Sequence, residues 1–479
     1  MSTAPHFASD GVHVDGQMIP YGQLLAQLDD DDDDLPQPAH ALAVRSMALA
    51  RASLAPPALG PEALALAAAP APTPPASLDF PEGLDTHWRD QAFLRTCARA
   101  AFNMYEAKSR DTAAEEVFPG EGLAARTVDA RGDLHGVQPA FGYFVETSSA
   151  TLVVTWCGST TLADWLNNGS FTPVTSSRWG GDEADIRAHN GMSGIVENDL
   201  ALYEADLQRA IEKHGVETLV FTGHSLAGGL AQVAHLLVRG EALKNPGSPW
   251  GRLLAGAGGR APLRVKSVGF SAPMACAFPA TPSAPMRALA DQLNDNALTV
   301  VYGIDVVPRL PSHTEYAVKC FEAGVAEAAR RSIPRWVPGM ITGLVRRFVA
   351  AKKREALAAL TGTSLLVDEL LFVAGGAFRH SGTVLYVPAQ AEDVGDEDDG
   401  SHEGAVWAGL RSCKGDGYKD LLGAPDLDAA ARAGAVVSTL WDHHMKLRRF
   451  AGYRKGGPAV PIVDSDTAKA DATEAASSA

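Results

Sequence analysis

The chain has 479 residues, of which 46% are hydrophobic, so it can bury a large core and form at most two or three ordinary domains. Its formal net charge of -16 argues against a general nucleic-acid binder, because such proteins need a basic surface to displace the counterions of phosphate groups. We therefore expect no nucleic-acid partner and favour neutral or lipid ligands.

The segment from residue 1 to about 80 is predicted to be largely disordered. Six consecutive aspartates, Asp29 to Asp34, repel one another, and the alanine- and proline-rich stretch after them favours extended conformations. A like-charge run cannot bury a core, so we interpret this segment as a solvated extension of the protein.

The amino terminus carries neither the basic segment nor the apolar run of a secretory signal peptide. No apolar stretch reaches the roughly 18 residues that a transmembrane helix needs. The five cysteines are odd in number and include no C-x-x-C pair, which suits reduced thiols. We therefore expect a cytoplasmic protein or one exported by a route other than the Sec pathway, with no transmembrane segment.

Between residues 85 and 455, short β-branched runs alternate with helical segments. This alternation predicts an α/β fold with a mainly parallel sheet flanked by helices. A helix predicted over Glu197 to His214 leads directly into one of the strands. The predicted strands are Phe141 to Glu146, Thr151 to Trp156, Thr218 to Thr222, Arg264 to Phe270, Leu298 to Gly303 and Thr383 to Val387.

Ser225 is the predicted nucleophile. It lies in the sequence GHSLAG, which follows a predicted strand and opens a helical stretch. Small residues at Gly223 and Ala227 allow the strained turn that lifts a serine hydroxyl clear of the backbone, and the positive end of the following helix points at the site. The pattern G-x-S-x-G is moderately specific, and Ala227 replaces its final glycine.

A serine nucleophile needs a base and an acid that orients the base. Asp305 follows a predicted strand, at the edge where such sheets collect catalytic groups. Near the end of the ordered region, His443 and His444 are both candidates for the base. The resulting order of serine, aspartate and histidine is the order found in α/β hydrolases.

Three blocks of the sequence resemble the class 3 lipase family, which has the α/β-hydrolase fold. GHSLAGG is similar to GHSLGG of the family, GIDVVPRLP to its aspartate block and DHHM to its DHSM-type histidine block. The resemblance covers roughly residues 90 to 455. It implies an α/β-hydrolase fold and a triad of Ser225, Asp305 and His443, with His444 as the alternative base.

The sequence TWCGSTTLADW resembles the family's oxyanion segment and the start of its lid. The resemblance assigns the oxyanion hole to the backbone N–H groups of Ser159 and Leu226, and places Thr160 and Trp165 in the lid and substrate-binding region. Cys157 replaces the arginine that is usual in the family. Two further histidines, His189 and His380, lie in family-like blocks and are interpreted as structural.

Residues 321–377 form an insertion relative to compact family members and are predicted to be helical. Within it, residues 330–354 carry eight positive charges and no acidic residue, together with an apolar stripe at helical spacing. This segment is either a cap helix packed on the sheet or an amphipathic helix in peripheral contact with a membrane. Residues 464–479 are small and polar and are predicted to form a disordered tail.

The sequence therefore predicts a serine hydrolase that cleaves carboxylic esters of lipids at an interface, as a triacylglycerol or related acylglycerol lipase does. A phospholipase of the A type, including one exported to attack a membrane, is an alternative, as is a non-catalytic scaffold. No cofactor or metal is expected, because the chain lacks the P-loop, zinc-protease and EF-hand patterns.

Overall fold

The computed structural model describes the central part of the chain and three short strands near the amino terminus. The described residues are 6–7, 11–14, 17–20, 77–106, 125–131, 139–158, 173–180, 185–279, 281–303, 305, 307–309, 376–388, 406–407, 410–414, 421–422 and 447.

The helices and strands of the described residues have the following bounds. The strands are β1 (His6–Phe7), β2 (Gly11–Val14), β3 (Gln17–Pro20), β4 (Ser77–Leu78), β5 (Ala125–Arg131), β6 (Phe141–Glu146), β7 (Thr151–Trp156), β8 (Pro173–Val174), β9 (Arg187–His189), β10 (Thr218–His224), β11 (Arg264–Phe270), β12 (Cys276–Pro279), β13 (Ala297–Tyr302), β14 (Gly376–Arg379), β15 (Thr383–Val387), β16 (Val406–Trp407) and β17 (Arg411–Lys414). The α-helices are α1 (Gln91–Asn103), α2 (Asn190–His214), α3 (Leu226–Lys244), α4 (Pro249–Ala255) and α5 (Ala284–Asn296), and 3-10 turns lie at Thr86–Trp88, Met104–Glu106, Ala257–Gly259 and Val307–Arg309.

The central sheet has eight strands in the order β17-β15-β13-β11-β10-β7-β6-β5. The five strands from β15 to β7 are parallel to one another, whereas β17 on one side and β6 and β5 on the other are antiparallel to their neighbours. The predicted mainly parallel sheet is thus confirmed. Strand β10 extends two residues beyond its predicted end, and β13 begins and ends one residue earlier than predicted.

Helices cover both faces of the sheet. In β10, Leu219 and Phe221 belong to a hydrophobic cluster with residues of α2 and α3, while Val220 belongs to a second cluster with residues of α1. A strand whose alternate residues enter two different cores is buried on both faces, which explains its continuous apolar sequence. The structure therefore has the helix–sheet–helix layers predicted from the sequence.

A second, antiparallel sheet of four strands, in the order β14-β12-β9-β8, was not predicted. It leads into α2, because His189 ends β9 and serves as the N-cap of that helix. The backbone N–H of His189 also donates to the Ala275 carbonyl, at 2.9 Å. Strands of two to four residues are too short to show a periodic pattern, so sequence analysis could not find them.

Four short strands, β1 to β4, are described within the amino-terminal segment that is predicted to be largely disordered. Strands β1, β2 and β3 form a small antiparallel sheet, in which Val14 pairs with Gln17. The missed signal is the pair Asp15 and Gly16 between these strands, since Asp-Gly favours two-residue hairpin turns.

Most of the predicted insertion, 321–377, lies outside the described residues, and only its last two residues are described, as the start of β14. The predicted tail, 464–479, also lies outside them. Of the helices described, none is both long and apolar enough to cross a membrane.

Candidate active site

Ser225 occupies a sharp turn between the end of β10 and the start of α3. Its backbone angles are φ 60° and ψ -128°, a strained conformation for a residue with a side chain. The turn is held by the Ser225 N–H, which donates to the Phe270 carbonyl of the adjacent strand at 2.9 Å. A serine held in this way at a strand-to-helix turn has the geometry of a nucleophile elbow.

The elbow requires residues without bulky side chains. A Cβ atom added to Gly223 would lie 2.5 Å from the Ala227 Cβ, and one added to Gly228 would lie 2.5 Å from the Ala272 Cβ. Both distances are far below van der Waals contact, so a side chain at either glycine would push α3 away from the sheet. This close packing is the physical reason for the small residues of GHSLAG.

Asp305 lies just beyond the carboxyl end of β13 and is fully buried. Its Oδ1 atom accepts a hydrogen bond from the Val307 N–H at 3.0 Å, and its own N–H donates to the Tyr302 carbonyl at 3.2 Å. Strand β13 is two places from β10 in the sheet, so Asp305 and Ser225 lie at the same edge.

Arg309 holds the loop that carries Asp305, and sequence analysis did not single it out. Its side chain is 1% exposed, and its guanidinium donates to the carbonyls of Asp305, Gly303 (3.1 Å) and Leu422 (3.0 Å). Leu422 belongs to the carboxyl-terminal part of the chain, so Arg309 joins that part to the aspartate loop. The available signal was a single basic residue within the largely apolar run IDVVPRLP.

The start of the predicted oxyanion segment runs beside the elbow. Strand β7 is the parallel neighbour of β10, and Gly158 lies two residues beyond its end. A Cβ atom on Gly158 would lie 2.5 Å from the His224 carbonyl oxygen, and it would also overlap the Tyr105 hydroxyl. The residues directly before Ser159 and Ser225 are therefore in contact.

The backbone and the side chain of Cys157 are both held in place, although Cys157 stands where the class 3 lipase family usually has an arginine. Its N–H donates to the Ala140 carbonyl at 2.8 Å, and its side chain belongs to the core cluster on the α1 side of the sheet. Leu226, the other predicted oxyanion residue, is the first residue of α3 and is buried. The first N–H groups of a helix have no acceptor within the helix, so the N–H group of Leu226 can donate a hydrogen bond to a ligand.

Several predicted site residues lie outside the described residues, namely Ser159, Thr160, Trp165, His443 and His444. The described residue closest in sequence to the two histidines is Leu447, which is fully buried in the same cluster as Phe270 and Tyr302. Within the described residues, no group of three or more His, Cys, Asp or Glu side chains could hold a metal ion.

The described histidines near the elbow have structural contacts. His224 is fully buried, and its Nδ1 atom shares a hydrogen bond of 2.6 Å with the Tyr105 hydroxyl. His380 Nε2 donates to the Pro308 carbonyl at 2.6 Å, beside the aspartate loop. The His189 side chain caps α2 by accepting from the Met192 N–H at 3.5 Å.

His189 should make stability fall in mild acid. Burial lowers the pKa of His189 from 6.5 to about 4, so between these values the unfolded chain binds a proton that the folded protein excludes. Stability from this group is complete above pH 6.5 and falls as the pH drops towards 4, by at most about 1.4 kcal/mol per pH unit.

The test is a comparison of urea unfolding at pH 7 and pH 5 in the wild type and His189→Asn. Asparagine is a good N-cap and does not titrate, so the variant should lose less stability over this interval. Buried His235, whose pKa burial also lowers, contributes equally to both proteins and cancels. An equal loss in both proteins would contradict the prediction.

Residues 153–315 match the model of the family described as lipase (class 3). This segment contains the elbow, the aspartate loop and the strands between them, so the resemblance seen in the motifs is confirmed there. With its mainly parallel sheet, flanking helices and nucleophile elbow, the protein has an α/β-hydrolase fold.

The chain is also similar to solved fungal lipase structures. One is the Rhizomucor miehei lipase propeptide complex, with 15% identity over 48% of this chain and 65% of that chain and a TM-score of 0.33. Another is a triacylglycerol lipase from Penicillium expansum, with 17% identity over 70% and 90% and a TM-score of 0.37. A third is the mono- and diacylglycerol lipase from Aspergillus oryzae, with 14% identity over 73% and 96% and a TM-score of 0.38. Among curated proteins no sequence matches.

Proposed function

We propose that the protein is a serine hydrolase that cleaves carboxylic esters of lipids through an acyl-enzyme intermediate. The observation that carries the proposal is the strained Ser225 between β10 and α3, within a segment that matches the class 3 lipase family. Backbone strain of this kind costs stability and clusters at active sites, which supports a functional role for Ser225 at the end of β10.

In the proposed reaction, the Ser225 hydroxyl attacks the ester carbonyl carbon while His443 takes its proton. His443 then gives this proton to the leaving alcohol, and a water molecule releases the fatty acid from Ser225 by the reverse sequence of proton transfers. Asp305 orients the histidine, which its burial at the shared edge of the sheet supports. His444 is the alternative base.

The oxyanion of the tetrahedral intermediate would be bound by the N–H groups of Ser159 and Leu226. The contact between Gly158 and the His224 carbonyl supports this assignment, since it brings the chain preceding Ser159 directly against the elbow. Loss of one such donor typically lowers turnover on the order of 100- to 1,000-fold. Thr160 and Trp165 would line the substrate side of the same segment.

Gly158→Ala tests whether this close approach is needed. Because the His224 oxygen belongs to the backbone and cannot rotate away, we expect a loss of about 1–3 kcal/mol in the free energy of unfolding and a fall in turnover of roughly 100-fold. Urea unfolding and hydrolysis of a short soluble ester measure the two effects.

Gly194→Ala is the matched control, because a Cβ atom on this glycine of α2 would meet nothing within 4 Å. It should keep full activity and be as stable as the wild type or up to about 1 kcal/mol more stable. If Gly158→Ala behaved like Gly194→Ala, the packing argument for the oxyanion segment would be wrong.

The substrate is tested by fatty-acid release from separate dispersions of triacylglycerol and phosphatidylcholine. Release from triacylglycerol that requires Ser225 is the expected result. Release from phosphatidylcholine alone would identify a phospholipase instead. If neither dispersion is hydrolysed, labelling of Ser225 by a fluorophosphonate would indicate a different ester, and no labelling would indicate a scaffold.

We also propose that the basic segment 330–354 contacts the lipid surface, on the basis of its eight positive charges and its apolar stripe. This contact would be peripheral and is compatible with a cytoplasmic enzyme or with one exported by a route other than the Sec pathway.

A further inference from the structure

Three segments of the chain meet at the residues directly before Ser225 and Ser159. Tyr105 lies in the 3-10 turn Met104–Glu106, directly after α1, and its hydroxyl shares the 2.6 Å hydrogen bond with His224 Nδ1. Gly158 follows β7, and His224 ends β10. The Tyr105 hydroxyl thus contacts both of the other segments.

The Tyr105 hydroxyl can lie beside Gly158 because Gly158 has no side chain. A Cβ atom at position 158 would overlap the Tyr105 hydroxyl and would lie 2.5 Å from the His224 carbonyl oxygen. The Tyr105 hydroxyl therefore packs against the backbone of the oxyanion segment and is hydrogen-bonded to His224, the residue before Ser225. A phenylalanine would fill the same place with the same ring but would lack the hydrogen bond to His224 and the hydroxyl that packs against Gly158.

The ring of His224 is fixed on a second side by α1. The Phe102 and His224 ring centroids are 4.7 Å apart, and Phe102 also packs near Phe270, at 6.3 Å, in the strand whose carbonyl accepts from Ser225. Phe102 and His224 are both buried. His224 has little freedom to move, because Phe102 of α1 and Tyr105 of the turn after α1 both pack against its ring.

We propose that Tyr105 is a positioning residue for acyl transfer, which sets the oxyanion segment against the nucleophile elbow through its bond to His224 and its contact with Gly158. The proposal rests on the function proposed above. The two oxyanion donors, Ser159 and Leu226, belong to separate segments, and their separation must be held closely, since a displacement of about 1 Å can cost roughly 100-fold in rate.

Tyr105→Phe is the test, with a short soluble ester as substrate. We expect kcat to fall about 10- to 100-fold while KM stays within twofold, because transition-state binding is lost and ground-state binding is kept. The melting temperature should change by only a few degrees, since the ring still packs on Phe102. Tyr203→Phe is the control, because Tyr203 stacks on Phe141 on the other face of the sheet.

Labelling with a fluorophosphonate separates positioning from folding. Phosphonylation of Ser225 also needs the oxyanion hole, so its rate constant should fall in Tyr105→Phe by a factor similar to that for kcat/KM, while the final labelled fraction stays that of the wild type. An effect on stability alone would lower the labelled fraction and leave the rate constant of the folded molecules unchanged.

A folded Tyr105→Phe protein with kcat within twofold of the wild type would overturn the proposal, and so would a loss confined to KM or to the labelled fraction. Failure of the proposed function is a different result, because the wild type itself would then show no labelling at Ser225.

Discussion

Alanine in place of Ser225 should lower ester turnover by about 10⁴-fold or more while leaving the fold intact. The hydroxyl is the only group at this position that can form the acyl-enzyme, and substitution of a triad nucleophile leaves only the small rate that substrate binding and the oxyanion hole supply. Ser225 is 6% exposed, and its turn is held by backbone hydrogen bonds, which alanine retains.

Ser271→Ala is the matched control for this variant. Ser271 follows β11, the neighbour of β10, and like Ser225 it is buried and has a positive φ, of 51°. It lies outside the elbow, so its alanine variant should keep most of the activity and should still react with a fluorophosphonate. Equal loss of activity in both variants would mean that this edge of the sheet is sensitive to the loss of either buried hydroxyl, and that the Ser225 hydroxyl has no special role.

The Ser225 prediction could be made from the sequence because the elbow is a local structure. A buried strand, a run of small residues and a helix follow one another along one short stretch of chain, and each leaves its own pattern. The parallel strands were predicted for the same reason, since burial on both faces makes each a continuous apolar run.

The contacts that hold the site together were beyond sequence analysis because they join distant residues. Tyr105 and His224 are 119 positions apart, and Arg309 and Leu422 are 113 positions apart. The sequence around a tyrosine after a helix, or around an arginine between prolines, does not indicate which distant residue it contacts. The antiparallel sheet containing β9 and β12 was missed likewise, since Ala188 pairs with Cys276 across a long stretch of chain.

Arg309→Met should be the most destabilising single substitution near the site, with a loss of about 3 kcal/mol or more in the free energy of unfolding. Methionine fills much of the same volume but donates no hydrogen bond, so the carbonyls of Gly303, Asp305 and Leu422 lose their donors in a buried place. A buried polar group left without its partner costs about 1–3 kcal/mol. The costs of the three unpaired carbonyl groups add up, but removing a buried cation recovers some desolvation energy. The expected loss of stability is therefore near the lower end of that sum.

Arg264→Met is the control, because Arg264 has an exposed side chain and a long ion pair of 3.7 Å with Glu217, so its loss should cost less than about 1 kcal/mol. Lysine at position 309 should recover only part of the stability, since one ammonium group cannot reach three carbonyls as a planar guanidinium does. Urea unfolding measures the free energy of unfolding of the three variants and so ranks their stabilities directly. A stable Arg309→Met protein with normal ester turnover would show that the aspartate loop holds Asp305 without Arg309, and that the link to Leu422 is dispensable for catalysis.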